Sequence, residues 1–111
     1  MRYFILFAFW ATSGLADPPS IEAVTYSNGR FDVTLKHPDT GWDHYADGWE
    51  VQTWDGTVLG YRKLHHPHVN EQPFTRSLGG VSLPEGTTEV RVRSHCNDTG
   101  WSDFVTVKVT P

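Results

Sequence analysis

The stretch TEVRVRSHC, Thr88–Cys96, alternates between two kinds of side chain with a period of two residues. One set of positions is charged or polar and comprises Glu89, Arg91, Arg93 and His95. The other set comprises Val90, Val92, Ser94 and Cys96. Successive side chains of a β-strand point to opposite faces of its sheet, so this pattern is typical of a strand with one face in a core. We predict a strand here whose last inward-pointing residue is Cys96.

Shorter alternating runs occur along the rest of the chain, separated by Gly, Pro, Asn and Asp. The other predicted strands are Ile21–Tyr26, Arg30–His37, Tyr45–Trp54, Thr57–Leu64, Phe74–Leu78, Val81–Leu83 and Phe104–Val109. Asn28-Gly29 and Asp55-Gly56 favour hairpin turns, because these residue types tolerate positive φ. No segment has a helical apolar period. The sequence therefore predicts an all-β fold, an immunoglobulin/fibronectin III-like antiparallel β-sandwich of about seven strands.

The first sixteen residues resemble a secretory signal peptide. Met1-Arg2 is a positive start, Tyr3–Trp10 is apolar, and Gly14-Leu15-Ala16 provides small residues for cleavage. The apolar run is too short to span a bilayer. We predict a signal peptide over residues 1–16 and a single β-sandwich domain over residues 17–111, secreted or periplasmic and without a membrane segment after cleavage. A membrane anchor or a buried core strand is the alternative.

The net charge argues against a nucleic-acid partner, and the cysteine content excludes an internal disulfide. Removal of Arg2 with the signal peptide takes the formal net charge from −4 to −5. No basic cluster remains that could neutralise a phosphate backbone, so we expect no nucleic-acid partner. Cys96 is the only cysteine, and it therefore forms no internal disulfide. In an oxidising compartment such a residue is buried, bound to a metal or paired between chains.

Histidines are the residues that most suggest chemistry. His37 ends the inward-pointing row of Phe31, Val33 and Leu35, and His44 closes the polar loop that follows. His66 and His68 flank Pro67 in an extended segment, so their rings point to the same side. Imidazole and thiolate ligands suit iron, copper or zinc. We predict one transition-metal ion, of one of these three elements, at one end of the sandwich, with the ligands His37, His44, His66, His68 and Cys96.

Neighbouring polar and aromatic residues allow further roles. Three acidic residues around His44 could accept imidazole N–H groups and orient the rings, namely Asp39, Asp43 and Asp47. A loop-forming role is the favoured interpretation for the first two. Glu71 is a further candidate ligand or orienting group. Trp42 and Trp101, which fall in predicted loops, are candidates for a surface that binds a glycan or another exported protein. Packing over the loop end of the sandwich explains them equally well.

The chain resembles the catalytic domain of the superoxide reductases, the desulfoferrodoxin and neelaredoxin group, from His37 to Trp101. His37-Pro38, His44-Tyr45 and Trp49-Glu50-Val51 are similar to that family's His-Pro loop, its His-Tyr and the following strand. The segment Val90–Trp101 is similar to its closing Cys-Asn-x-His-Gly region. The resemblance implies an immunoglobulin-like sandwich and a mononuclear iron with four equatorial histidines and an axial cysteine, which reduces superoxide to peroxide.

Carried over residue by residue, the resemblance implies ligand roles for His37, His44 and Cys96. Thr99 stands where the family has a histidine, and Asp17–Lys36 contains none. The sequence leaves three functions open, with no catalytic residue assigned. The leading one is an exported metal-binding sandwich. The others are an iron-dependent redox enzyme and a non-catalytic immunoglobulin-like interaction module.

Overall fold

The alternating segments form eight β-strands in a computed structural model that describes residues 18–109. The strands are β1 (Ser20–Ser27), β2 (Arg30–Lys36), β3 (Ala46–Gln52), β4 (Val58–Lys63), β5 (Phe74–Leu78), β6 (Glu89–Cys96), β7 (Gly100–Trp101) and β8 (Val105–Lys108). Within this range there is no helix, and hence no apolar helix long enough to cross a bilayer. The predicted signal peptide and its cleavage site lie outside the described residues.

The strands form two antiparallel sheets. The first has the order β1-β2-β5, and the second has the order β4-β3-β6 with both β7 and β8 paired to β6. The prediction of an all-β fold with antiparallel pairing is confirmed.

One predicted hairpin is present, and one predicted strand is absent. Asn28 and Gly29 have φ values of 50° and 81°, as the predicted β1–β2 hairpin requires. The predicted strand over Val81–Leu83 is wrong. Val81 is buried and donates one backbone hydrogen bond to Gly29, but the segment follows Gly79 and Gly80, the second at φ 69°, and forms no ladder of bonds with a neighbour.

The core lies between the two sheets and comes from their alternating positions. Every second residue of β2 and of β6 is buried, as the sequence pattern predicts. The largest fully buried side chains of the core include Trp49, Phe31, Leu35, Leu64, Val33, Val51, Val90 and Val92. Burial of this many apolar side chains stabilises a domain that has no disulfide.

Three strand ends meet at one end of the sandwich. Because β3 pairs antiparallel with β6, Ala46 at the start of β3 lies opposite Cys96 at the end of β6. In the other sheet, the inward-pointing row of β2 continues past its last residue to His37, which is 1% exposed. The topology thus brings the loop that ends in His44 close to both His37 and Cys96.

Candidate metal site

His37, His44 and Cys96 form a compact group of potential metal ligands. One donor atom from each of the three residues lies within 4.8 Å of the other two. His37 and Cys96 are buried and His44 is half-buried. The two imidazole centroids are 4.6 Å apart. The group joins the loop after β2, in one sheet, to the end of β6, in the other.

The orientation of His37 is fixed by Asp39. The Nδ1–H of His37 donates to the Asp39 carboxylate at 2.6 Å, and both side chains are completely buried. The other ring nitrogen, Nε2, is buried without a hydrogen-bond partner among the described residues. A buried nitrogen with an unused lone pair costs free energy unless something binds it. A metal ion beside it would satisfy that lone pair.

Asp39 does more than form a loop, which was the role that the sequence favoured for it. Its Oδ1 also accepts the backbone N–H of Ala46 at 3.0 Å, and its Oδ2 accepts that of His68 at 2.8 Å. A buried carboxylate is stable only when such donors replace water. Asp39 therefore connects the candidate ligand His37 to the start of β3 and to the loop before β5. This matches the orienting role that carboxylates have behind metal-bound histidines.

Cys96 has the surroundings of a potential thiolate. Its Sγ lies 3.7 Å from His44 Nδ1 and accepts the backbone N–H of Asp98 at 3.4 Å. A backbone N–H stabilises the charge on a thiolate sulfur. His44 Nδ1 is also within hydrogen-bond distance of Asp98 Oδ2, at 3.2 Å, and the Asp98 carboxylate is largely exposed. The sulfur and the two imidazoles thus line a common space.

Asn97 holds the two halves of this group together. Its Oδ1 accepts the backbone N–H of Tyr45 at 2.9 Å, and its Nδ2 donates to the carbonyl of Trp42 at 2.9 Å. Its own backbone N–H donates to the Tyr45 carbonyl at 3.1 Å. Since Tyr45 follows His44 and Asn97 follows Cys96, these bonds fix the distance between the two candidate ligands.

His66 and His68 are close to each other but are not brought into this group. Their ring centroids are 4.7 Å apart. His66 is exposed, whereas His68 is buried and stacked on Phe74 at 3.9 Å between ring centroids. Arg76 donates to His68 Nε2 at 3.0 Å, and this occupies the lone pair that a metal would need. The two rings lie side by side, as their spacing in an extended segment predicts. They differ in burial, because only the His66 ring is exposed.

The environment of His68 also disfavours a positive charge. Burial lowers the pKa of His68 below the ordinary value for histidine, and the nearby charges of Arg76 and His66 lower it further. Glu71 and Asp39 act in the opposite direction and have smaller effects. These surroundings therefore favour the neutral form of His68, whose ring contacts Phe74 and the Arg76 guanidinium.

The remaining predicted residues have separate surroundings. Glu71 pairs with Arg76 at 3.1 Å, and Asp47 accepts a hydrogen bond from His95 Nδ1 at 2.6 Å. Asp47 projects from a β-bulge in β3, where the pairing with β6 shifts between Ala46 and Gly48. Asp43 is exposed. Trp42 and Trp101 are 65% and 38% exposed, so both are accessible to a partner.

A stack of cations and aromatic rings, which the sequence did not lead us to predict, lies on the outer face of the second sheet. The Arg93 guanidinium lies 4.1 Å from the ring centroid of Trp101 and 4.8 Å from that of Phe104. Arg91 lies 4.0 Å from Phe104 and 5.5 Å from Trp54. The alternation of β6 already predicted that both arginines lie on this outer face, and it was the one sequence feature that pointed to the stack. Cation–π contacts of this kind stabilise the edge formed by β7 and β8.

Part of the chain is similar to a known protein. Over 71 residues, 64% of the chain, the sequence is 51% identical to a protein of Halomicrobium mukohataei that is named "Putative lipoprotein". The match covers 34% of that protein, so the chain spans about a third of its relative's length. No protein-family model matches the chain, and no solved structure matches it. Membership of the superoxide reductase family therefore stays a prediction.

Proposed function

We propose that this protein is an exported metal-binding β-sandwich in which His37, His44 and Cys96 hold one transition-metal ion. The observation that carries the proposal is His37 Nε2, a buried nitrogen with no hydrogen-bond partner in the described part of the chain, beside a second imidazole and a buried thiol. Asp39 holds the proton of His37 on Nδ1 and so leaves Nε2 ready to bind a cation.

The chemistry of the three donors limits the choice of metal. Two imidazoles and one thiolate are suitable for iron, copper or zinc and unsuitable for calcium or magnesium, which prefer oxygen ligands. Formation of the site requires the Cys96 thiol to lose its proton, so binding of the ion releases a proton. The proposed cofactor is therefore one ion of iron, copper or zinc.

Export of the protein rests on two separate supports. The first is the charged, apolar and small-residue order of residues 1–16, which is typical of a signal peptide. The second is the name of the Halomicrobium relative, since a lipoprotein is an envelope protein.

An immunoglobulin/fibronectin III-like class is part of the same proposal. It is supported by two facing antiparallel sheets in which β1, β2 and β5 pair in one sheet while β3, β6 and the β7–β8 edge pair in the other. Chains of this architecture carry loops at both ends of the sandwich. The candidate ligands lie at one such end.

The direct test is the metal content of the exported protein, purified without chelators and without a histidine tag. We expect about one equivalent of iron, copper or zinc per chain, and we expect the Cys96→Ser variant to lose it. A wild-type protein that contains no metal, and binds none on titration with each of the three, would contradict the proposal. The better function would then be an interaction module that uses the exposed Trp42.

A redox role like that of the superoxide reductases is a second candidate. It is favoured by the sulfur of Cys96, which lies beside the imidazole of His44 and receives a backbone N–H from Asp98. With iron bound, a thiolate ligand gives a ferric–thiolate charge-transfer band. The expected observation is such a band in the oxidised iron-loaded protein and its loss in Cys96→Ser. If the iron-loaded wild type lacks the band, this candidate fails.

A further inference from the structure

We propose that Asp98 supplies the fourth donor to the ion and makes the site selective for a divalent metal. This inference rests on the proposed function, because it concerns the same site. His37, His44 and Cys96 provide three donor atoms. Zinc and related divalent ions in protein sites take four donors in a tetrahedron, from sulfur, imidazole nitrogen and carboxylate oxygen. The fourth donor is therefore the part of the site still to be assigned.

Two distances from His44 Nδ1 match the spacing of ligands around a tetrahedral ion, while Asp98 stands outside the group of three donors that lie within 4.8 Å of one another and has to turn toward the ion to bind it. With Zn–S near 2.3 Å and with Zn–N and Zn–O bonds near 2.05 Å, donors at tetrahedral angles lie about 3.6 Å apart for sulfur and nitrogen and about 3.3 Å apart for nitrogen and oxygen. The observed Cys96 Sγ to His44 Nδ1 distance is 3.7 Å, and the His44 Nδ1 to Asp98 Oδ2 distance is 3.2 Å. Both pairs have the spacing of neighbouring ligands of one ion.

The backbone keeps Asp98 at the site. The Asp98 N–H donates to Cys96 Sγ, so the main chain of this residue is tied to the sulfur itself. Its side chain is 62% exposed, which means that the carboxylate can turn toward an ion without disturbing the core. In contrast, the candidate ligand His68 is buried and its Nε2 accepts a hydrogen bond from Arg76.

Charge explains the preference for a divalent ion. On binding, the Cys96 thiol gives up its proton to solvent, and the remaining proton of His44 resides on Nε2 so that Nδ1 binds the metal. The bond from His44 to the Asp98 carboxylate is replaced by a bond from that carboxylate to the ion. The thiolate, Asp98 and the orienting Asp39 together place three negative charges at or beside the site. A divalent ion offsets more of this charge than Cu(I) does.

The test compares Asp98→Asn with Asp43→Asn in the full exported chain. Asp43 precedes His44 and is exposed, so its variant removes the same charge near the same ligand. Because Asp98 is proposed as a direct ligand, we expect Asp98→Asn to lose at least about 100-fold in Zn²⁺ affinity, the upper end of what partners behind the ligands contribute, with a smaller loss of Cu(I) affinity. Asp43→Asn should leave both affinities unchanged. Competition with a chromophoric chelator measures each constant.

A second readout reports coordination directly. Co²⁺ in a four-coordinate site with one sulfur has intense visible absorption, which we expect in the wild type and in Asp43→Asn, and changed in Asp98→Asn. Equal Zn²⁺ affinity and an unchanged Co²⁺ spectrum in Asp98→Asn would overturn the inference while leaving the metal site in place. An equal loss in both variants would also overturn it, because charge alone would then explain the effect. A wild type that binds no metal overturns the proposed function itself, and this inference with it.

Discussion

Two pairs of histidines lie at this end of the sandwich, and they differ in what their ring nitrogens contact. The ring centroids of His37 and His44 are 4.6 Å apart, and those of His66 and His68 are 4.7 Å apart. In the first pair, His37 has an unpartnered Nε2 within the described structure, and a thiol lies beside His44. In the second pair, a guanidinium donates to the Nε2 of His68.

Proximity of imidazoles alone does not define a metal site. A cation binds where carboxylates face the protons of the rings and lone pairs face a common space. Asp39 provides this for His37, whereas Arg76 puts a positive charge where an ion would have to be. The pairs thus differ in the group that faces one ring nitrogen, although Asp39 also lies 3.9 Å from His68 Nδ1, which has no hydrogen-bond partner among the described residues.

Replacement of the sulfur should have the largest effect. The Cys96→Ser variant keeps the size of the side chain and removes the soft ligand, so we expect metal affinity to fall by more than about 100-fold, beyond what outer partners contribute. Isothermal titration or chelator competition measures the change. His66→Ala is the matched control from the other pair. Undiminished binding in Cys96→Ser would mean that the ion is held elsewhere.

Loss of the Asp39 carboxylate, which orients His37, should have the second-largest effect on metal affinity. Asp39→Asn removes the negative charge that holds the His37 proton on Nδ1 and leaves one acceptor oxygen for three N–H donors, so we expect a fall of about 10–100-fold in metal affinity. The free energy of unfolding without metal should also fall by about 1–3 kcal/mol, because buried backbone donors lose part of their partner. Asp43→Asn, at an exposed position, controls for charge. If Asp39→Asn binds metal normally, Asp39 acts only in folding.

His68, in the second pair, should make the free energy of unfolding depend on pH. The folded-state pKa of His68 lies below its unfolded value because of burial, Arg76 and His66, in that order. As pH falls through about 6.5, the unfolded chain takes up a proton that the folded chain refuses, so stability decreases, by at most about 1.4 kcal/mol per pH unit. Denaturant unfolding of the metal-free wild type and of His68→Gln between about pH 7.5 and 5.5 tests this. Parallel pH profiles for the two proteins would contradict it.

The smallest effect is expected at His66. This ring is exposed and lies outside the group of three donors. We expect His66→Ala to bind metal as the wild type does, measured by the same chelator competition. A marked loss of affinity would restore the ligand set predicted from sequence and would require the loop from His65 to Pro73 to close over the site.

The position of two candidate ligands could be predicted because it follows from strand periodicity. Alternation in β2 and β6 placed His37 and Cys96 on the core face, and both are buried. This pattern repeats every two residues and depends on no distant contact. The same periodicity predicted most of the strands, and the hairpin at Asn28-Gly29 followed from residue types that tolerate positive φ.

The contacts of the loops could not be predicted, because they depend on which segments meet. Nothing local in the sequence indicates that Asp39 would accept bonds from both Ala46 and His68, or that Arg76 would reach His68. The predicted strand over Val81–Leu83 failed for the same reason, since a strand exists only with a partner. The arginine and aromatic stack was missed because Trp101 and Phe104 come from the chain after β6.

The bonds of Asn97 to Tyr45 and Trp42 close a long loop of the chain in the folded state. They hold together chain segments that are far apart in sequence, and an ion bound by His37 and Cys96 would close the same loop covalently. Constraining a loop of about 60 residues lowers the entropy of the unfolded chain and contributes about 4 kcal/mol, as a disulfide of that span does. In a chain with one cysteine, the ion would serve as the missing cross-link, and its removal would expose the domain to unfolding and proteolysis.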